Sequence, residues 1–166
     1  MIEEMKKISL VIPCYNEQES LPLFDAEMDK VIKSMSEYSF EIIYVNDGSK
    51  DNTLKCIKEL YEKRTYVRFI SFSRNFGKEA AIYGGLKRAE GDCCAVMDCD
   101  LQHPPQTLLE MYRLWQEGYE VIEGVKADRG KEGFLHKECA GFFYDIMSKA
   151  TKVNMKDASD FKMMDR

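Results

Sequence analysis

The sequence predicts an α/β domain built on a mostly parallel sheet, a Rossmann-like arrangement with helices on the sheet faces. Short apolar segments rich in β-branched residues alternate with longer segments whose apolar residues recur at helical spacing. This alternation is typical of parallel strands joined by crossover helices. With 166 residues and 45% hydrophobic content, the chain is expected to form a single domain over residues 1–166.

Five segments are predicted to be strands. Each is short and bounded by turn residues, and the fourth is apolar along nearly its whole length, as expected of a strand buried on both faces. The predicted strands are residues 8–12, 40–45, 67–72, 92–97 and 119–123.

Five helices are predicted between and after these strands. Ser20 is expected to cap the first helix and Asp51 the second. Pro104 and Pro105 are expected to open the fourth helix, and Gly118 to close it. The predicted helices are residues 21–35, a segment that follows Asp51, and residues 77–89, 104–117 and 134–151.

Composition narrows the classes of partner and the cellular location. A net charge of −5 and a pI near 5.2 argue against a nucleic-acid partner, which would require clustered cations. The six cysteines show no zinc-type pairing, and several lie in apolar segments, where a thiol packs like a small hydrophobe. No secretory signal and no run of about 20 apolar residues is visible, so we expect a reducing, cytoplasmic location.

Polar residues follow four consecutive predicted strands, at residues 13–17, 46–51, 73–78 and 98–103. In open sheets with parallel strands, ligands bind at the carboxyl ends of the strands. The acids, amides and glycines gathered at those four positions therefore predict a ligand site along that edge.

Asp98 and Asp100 follow the buried fourth strand and are predicted to bind a divalent cation. Two carboxylates separated by one residue in an irregular turn can face one point, and hard cations prefer such oxygens. A cation held there would bridge a diphosphate, and Gln102 offers a further carbonyl oxygen. The alternative is a helix-entry turn, with Asp100 at the positive end of the next helix.

Asp47 stands at the tip of the second predicted strand, where neither a turn nor a cap requires an acid, so it is predicted to accept a hydrogen bond from a nucleobase. Gly77 and Lys78 at a helix start are expected to bring N–H groups and an ammonium near phosphate. Neither the P-loop spacing nor G-x-G-x-x-G occurs, which removes the two commonest ways a parallel sheet binds nucleotides.

Lys126 and Arg129 lie in a segment flanked by Gly124 and Gly133. Two interpretations stay open for this segment: a loop that closes on a diphosphate or a lipid phosphate, or a solvated group of charges.

Five motifs in a fixed order carry a resemblance to a known family. They are VIPCYNE (11–17), VNDGS (45–49), SRNFGKEA (73–80), MDCDLQHPP (97–105) and SDFKMMDR (159–166). Together they resemble the family-two glycosyltransferases with a GT-A fold, and in particular the dolichol-phosphate mannosyltransferases and the bacterial polyprenyl-phosphate glucosyltransferases.

The resemblance implies roles for individual residues. The nucleotide pocket of a nucleoside-diphosphate sugar donor would be lined by Pro13, Tyr15, Glu17, Val45 and Asp47, with Asp47 on the base. Mg²⁺ or Mn²⁺ would be held with the donor diphosphate by Asp98, Asp100 and Gln102. Lys126 or Arg129 would contact the diphosphate at a place where relatives often carry arginine, whose bidentate geometry a lysine lacks.

Asp160 lies where the family has its catalytic acid, and the resemblance implies transfer of a sugar to a polyprenyl phosphate. A phosphate monoester has its second pKa near ~6, so such an acceptor is already largely a dianion at neutral pH. It needs positioning more than deprotonation. We therefore predict that Asp160 orients the acceptor or the sugar at least as much as it acts as a base.

Relatives of the polyprenyl type continue into an amphipathic region and two membrane spans. The resemblance thus leads us to expect that a membrane-binding C-terminal region is absent from this chain, and that the full-length protein is anchored at the cytoplasmic face of a membrane. Three alternatives stay open: a glycan or lipid hydroxyl as acceptor, a metal-dependent sugar nucleotidyltransferase, and an inactive sugar-nucleotide-binding module. The sequence leaves the oligomeric state open.

Overall fold

The computed structural model describes residues 5–124 and 161–166. Ten elements follow one another in these ranges, and strands alternate with helices along most of the chain. They are β1 (Lys7–Cys14), α1 (Ser20–Ser34), β2 (Ser39–Asn46), α2 (Thr53–Lys63), β3 (Val67–Ser71), α3 (Lys78–Leu86), β4 (Cys93–Val96), α4 (Thr107–Gln116), β5 (Val121–Glu123) and β6 (Lys162–Asp165).

The strands form one six-stranded sheet in the order β3-β2-β1-β4-β6-β5. The strands β1 to β4 pair in parallel, whereas β6 is antiparallel to both β4 and β5. The prediction of a mostly parallel α/β sheet is confirmed, as are all five predicted strands. The strand β6 was not predicted, because its residues were interpreted only as a motif.

The helix predictions hold in position but differ at several ends. Ser20 is the first residue of α1 rather than its cap, and its hydroxyl donates to the carboxylate of Glu17. A single hydrogen-bonded turn from Pro104 to Thr107 precedes α4, so that helix begins three residues later than predicted. Gly118 follows α4 with a φ of 99°, the left-handed conformation expected of a helix-closing glycine. The predicted helix 134–151 lies outside the described residues.

Two apolar cores lie on the two faces of the sheet. The larger one packs Leu10 and Ile12 of β1 with apolar residues of α1, α2 and α4. The smaller one packs Val11 of β1 and Val45 of β2 with Ala81 of α3. Because successive side chains of a strand point to opposite faces, β1 contributes to both cores and is buried on both sides.

The contact between α3 and the sheet is very close. A Cβ atom added at Gly85 would lie 2.3 Å from Cγ1 of Val11 and 3.1 Å from Cγ2 of Val45. The absence of a side chain at Gly85 thus lets α3 lie flat on β1 and β2, which fixes where the helix begins at the carboxyl edge of the sheet. Within the described ranges, no helix has the length and apolar character required to cross a bilayer.

Candidate active site

A cleft of about 280 Å³ lies at the carboxyl ends of β1, β2 and β4. It is formed by the segments that follow these strands and by the first turns of α3. The residues lining it are Pro13, Cys14, Tyr15, Glu17, Asp47, Asn75, Lys78, Ala81, Asp98 and Asp100. The cleft therefore lies at the edge of the sheet where a ligand site was predicted. Seven of the residues predicted to bind the nucleotide or the metal line the cleft.

Asp98 and Asp100 follow β4, and both line the cleft. The side chain of Asp98 is 31% exposed, and its Oδ2 lies 2.8 Å from Nζ of Lys78. Asp100 is exposed, and its Oδ1 accepts a hydrogen bond of 3.0 Å from the backbone N–H of Gln102. Gln102 is exposed and is not among the residues that line the cleft. It contacts Asp100 through its backbone N–H, and its role as a metal ligand stays a prediction.

The donor set fits a divalent cation that is shared with a phosphate ligand. Mg²⁺ is usually bound through one or two carboxylates plus substrate phosphates rather than by a complete protein cage. Asp98 and Asp100 supply two such carboxylates on the cleft wall. Among the described residues, no group of three or more His, Cys, Asp or Glu side chains comes together to hold a metal.

Asp47 is buried at 3% exposure, and its carboxylate binds the chain that leads into α3. Its Oδ1 accepts from the N–H of Phe76 at 2.7 Å, and its Oδ2 accepts from the N–H of Gly77 at 2.9 Å. The expectation that no structural requirement explains an acid here is therefore wrong. The nucleobase contact stays a prediction, and any such contact must coexist with two backbone hydrogen bonds.

Gly48 makes the approach to this segment possible. Its φ is +65°, and an added Cβ would lie 2.3 Å from the carbonyl carbon of Arg74 and 2.6 Å from N of Asn75. Only glycine adopts this conformation without strain while leaving room for the facing backbone. The turn at Gly48 thus packs directly against the backbone of Arg74 and Asn75.

Val45 does not line the cleft. It is fully buried and packs in the smaller core, 3.1 Å from the position that a Cβ on Gly85 would take. The alternation of β2 turns the Val45 side chain toward α3, and the contact of Val45 with a nucleotide stays a prediction.

The segments that follow β1 and β2 are bonded to each other. The N–H of Glu17 donates to Oγ1 of Thr53 at 2.7 Å, and the N–H of Gln18 donates to Oδ2 of Asp51 at 3.2 Å. Oδ1 of Asp51 accepts from the N–H of Thr53 at 3.0 Å, so Asp51 has a structural contact with the first residue of α2. The capping position itself is Asn52, one residue later than predicted. Burial acts to raise the pKa of Asp51, but the hydrogen bonds from Thr53 and Gln18 outweigh it and lower the pKa below its ordinary value.

The remaining residues predicted to bind a nucleotide, Pro13, Tyr15 and Glu17, all line the cleft. Tyr15 is 41% exposed, so its ring is available to a ligand. Glu17 accepts a hydrogen bond from Ser20 and is half-buried. Their contact with a nucleotide stays a prediction.

Three cleft residues were not predicted: Cys14, Asn75 and Ala81. Burial raises the pKa of the Cys14 thiol well above its ordinary value, and a hydrogen bond with Cys99 raises it further. Cys14 is therefore a neutral thiol that packs under the cleft. Asn75 lies within the motif at 73–80 and follows the third predicted strand. That position was the sequence feature that could have identified it as a cleft residue.

Asp160, Lys126 and Arg129 lie outside the described residues. Phe161, which follows Asp160 in the chain, is buried, and its ring centroid lies 5.3 Å from that of His103. Its carbonyl accepts from the N–H of Gly124 at 2.8 Å. His103 thus packs against the ring of Phe161. This contact brings the motif at 97–105 next to Phe161 of the motif at 159–166.

The fold is a mostly parallel α/β domain, and an acidic cleft at the carboxyl ends of its strands is the candidate ligand site. The chain belongs to glycosyl transferase family 2, whose family model matches residues 9–166. The resemblance noted in the five motifs is thereby confirmed.

Similar proteins agree with this assignment. An uncharacterized glycosyltransferase of Bacillus subtilis, YkcC, is 39% identical over 159 residues, which are 95% of this chain and 49% of that protein. A prophage bactoprenol glucosyl transferase homolog of Escherichia coli is 36% identical over 161 residues, which are 96% of this chain and 52% of that protein. The chain thus spans about half the length of the curated relatives it matches.

A solved structure has the same fold at lower identity. The mannosyltransferase PcManGT from Pyrobaculum calidifontis, in complex with GDP-Man and Mn²⁺, aligns with a TM-score of 0.64 and 18% identity over 98% of this chain and 45% of that one. The predicted GT-A fold is thereby confirmed.

Proposed function

We propose that this chain is the donor-binding domain of a metal-dependent, inverting glycosyltransferase that moves a hexose from a nucleoside-diphosphate sugar to a polyprenyl phosphate. The observation that carries the proposal is the cleft in which two carboxylates, Asp98 and Asp100, face an ammonium, Lys78, at the carboxyl edge of a GT-A sheet. A diphosphate is the ligand that satisfies both signs of charge, because it pairs with the ammonium directly and with the carboxylates through a divalent cation.

The donor would lie across the strand ends. Tyr15 and Glu17 line the β1 side of the cleft and would contact the nucleoside, whereas Asp98 and Asp100 on the β4 side would hold Mg²⁺ or Mn²⁺ with the diphosphate. Such an ion would neutralise the charge that develops on the departing nucleoside diphosphate. The N-terminus of α3 would add N–H groups near the phosphates.

The transfer is proposed as a single displacement. A phosphate oxygen of the acceptor forms a bond to the anomeric carbon while the bond from that carbon to the donor diphosphate breaks, and the configuration inverts. The acceptor is largely dianionic at neutral pH, so the protein must mainly align it with the sugar. Asp160 is proposed for that alignment, and Lys126 or Arg129 for contact with a phosphate. In support, Phe161 packs on His103 beside the motif that carries Asp98 and Asp100.

The acceptor class is supported by the names of relatives, several of which are called bactoprenol glucosyl transferase. An acceptor of that kind lies in a membrane. We therefore propose that the whole protein works at the cytoplasmic face of a membrane, and that segments beyond this chain contribute to its attachment.

Calorimetric titration tests the donor and metal parts of the proposal. UDP, UDP-glucose and GDP-mannose are titrated with and without Mn²⁺ into the wild type and Asp98→Ala. We expect binding that favours one base, is much tighter with Mn²⁺ than without it, and in the presence of Mn²⁺ weakens at least about tenfold in Asp98→Ala, because a charge-assisted contact to the cation is lost. Asp92→Ala is the matched control, since Asp92 lies just before the opposite end of the same strand.

Transfer itself is measured with the whole protein, a labelled donor and a polyprenyl phosphate. Failure of every donor to bind in the presence of Mn²⁺, or equal binding by wild type and Asp98→Ala, would contradict the proposed function. Transfer to a lipid or glycan hydroxyl but not to a phosphate would contradict the acceptor alone.

A further inference from the structure

An ion pair spans the cleft between the first residue of α3 and the first acid after β4. Nζ of Lys78 lies 2.8 Å from Oδ2 of Asp98, and the two side chains are 37% and 31% exposed. The lysine therefore engages an oxygen of the same carboxylate that the proposed function assigns to a divalent cation. A cation and an ammonium at one carboxylate repel each other, so both cannot keep this position with full strength.

The position of Lys78 is set by the backbone that precedes it. The carboxylate of Asp47 accepts from the N–H groups of Phe76 and Gly77, the two residues before Lys78. Gly77 has a φ of 103°, which turns the chain into α3. The flat packing of α3 at Gly85 then fixes the direction of the helix. The backbone of Lys78 is thus held in place, and its ammonium is joined to it by a flexible four-carbon stem.

We propose that Lys78 is a positioning residue that neutralises Asp98 before a divalent cation binds and shifts its ammonium to the donor diphosphate when the cation takes its place. This inference rests on the proposed function and concerns how the same site is prepared for its donor. In the form without cation, Lys78 keeps Asp98 from repelling an approaching diphosphate. When cation and diphosphate bind together, the two phosphates supply the negative charge that the lysine loses at Asp98.

The proposal predicts effects of opposite sign on two ligands. Replacing Lys78 with methionine removes a competitor of the cation, so Mn²⁺ alone should bind about two- to fivefold more tightly, the range expected from loss of a partly exposed ion pair. In the form without cation, the same replacement leaves the charge of Asp98 uncompensated in the cleft, so UDP or GDP without a divalent ion should bind at least about tenfold more weakly. A purely structural defect would weaken both ligands.

The experiment measures both affinities on Lys78→Met, Lys78→Arg, Lys87→Met and the wild type. Mn²⁺ binding to nucleotide-free protein is followed by the electron paramagnetic resonance signal of free Mn²⁺. UDP and GDP binding is followed by calorimetry in EDTA. Lys78→Arg keeps the positive charge and should resemble the wild type on both ligands. Lys87→Met is the matched control, because Lys87 is an exposed lysine just past the other end of α3.

Opposite shifts in Lys78→Met, with Lys87→Met unchanged, would establish the charge exchange. Unchanged or weaker Mn²⁺ binding in Lys78→Met would overturn it, even where the wild type binds UDP or GDP with Mn²⁺ as the proposed function requires. Failure of the wild type to bind either nucleotide with Mn²⁺ would instead overturn the proposed function, and this inference with it.

Discussion

Replacing Asp47 with asparagine separates the two roles that have been considered for this residue. The change preserves the size of the side chain but converts one carboxylate oxygen into an NH₂ group. Oδ1 and Oδ2 of Asp47 each accept one backbone N–H, at 2.7 Å from Phe76 and 2.9 Å from Gly77. An asparagine can accept only one of them, and its NH₂ group would face the other N–H.

The cost follows from these contacts. One charge-assisted hydrogen bond worth about 1.5–3 kcal/mol is lost, and the remaining bond is weakened because its acceptor is no longer charged. Asp47 is 3% exposed, so water offers the orphaned N–H little compensation. We expect the free energy of unfolding to fall by about 2–4 kcal/mol, which corresponds to a fall in Tm of about 5–10 °C for a chain of this size.

The assay is thermal and urea unfolding of ligand-free protein, followed by circular dichroism. Asp100→Asn is the matched control: it makes the same chemical change at an exposed carboxylate whose contact with the Gln102 N–H an asparagine oxygen can keep. That variant should unfold like the wild type.

A Tm of Asp47→Asn within the scatter of the wild type would refute the reasoning, because it would mean that the two N–H groups find other acceptors at no cost. Loss of nucleotide affinity without loss of stability would instead assign Asp47 to the nucleobase.

Two further changes test the packing of α3 and the start of α2. Gly85→Ala would place a methyl group 2.3 Å from Cγ1 of Val11, so the helix must shift. We expect urea unfolding to show a fall of about 1–3 kcal/mol in the free energy of unfolding. An unchanged free energy of unfolding would contradict the close packing. Asp51→Asn should cost about 1 kcal/mol at neutral pH by weakening the acceptor for Thr53. Because the folded pKa of Asp51 lies below 3.8, the contribution of its carboxylate is present above pH 3.8 and lost as the pH falls through the folded pKa. Unfolding curves of this variant and the wild type should therefore converge in acid, and a difference that stays constant with pH would contradict the ionised role.

The parallel half of the sheet could be predicted because each of its strands carries its own local pattern. The segments that became β1 to β4 are apolar, short and separated by amphipathic helices, and the crossover rule then requires parallel pairing. The strand β6 has no comparable signal. Its four residues alternate only briefly, and its insertion between β4 and β5 depends on pairing with segments far away in the chain, which no local pattern records.

Some residues of the candidate site could likewise be placed from the sequence, whereas others could not. Asp98, Asp100 and Lys78 could be placed together because strand ends meet at one edge of a sheet, and all three line the cleft. The hydrogen bonds of Asp47 could not be predicted, because their donors stand 29 and 30 residues away and adopt their positions only when the segment after β3 folds back on β2. Val45 was assigned by analogy, whereas its place in the alternation of β2 sends its side chain into the core.

The position of β6 in the sheet also determines when the sheet can be completed during synthesis of the chain. Lys162–Asp165 are made after both β4 and β5, and they cover the edge of β4 and provide the partner with which β5 pairs. Until the ribosome has released them, β4 presents open hydrogen-bonding groups at one side and the short β5 lacks the neighbour it has in the folded sheet. An uncovered edge of this kind invites pairing with other chains. The nascent polypeptide is therefore vulnerable to aggregation in the interval between completion of β4 and emergence of β6.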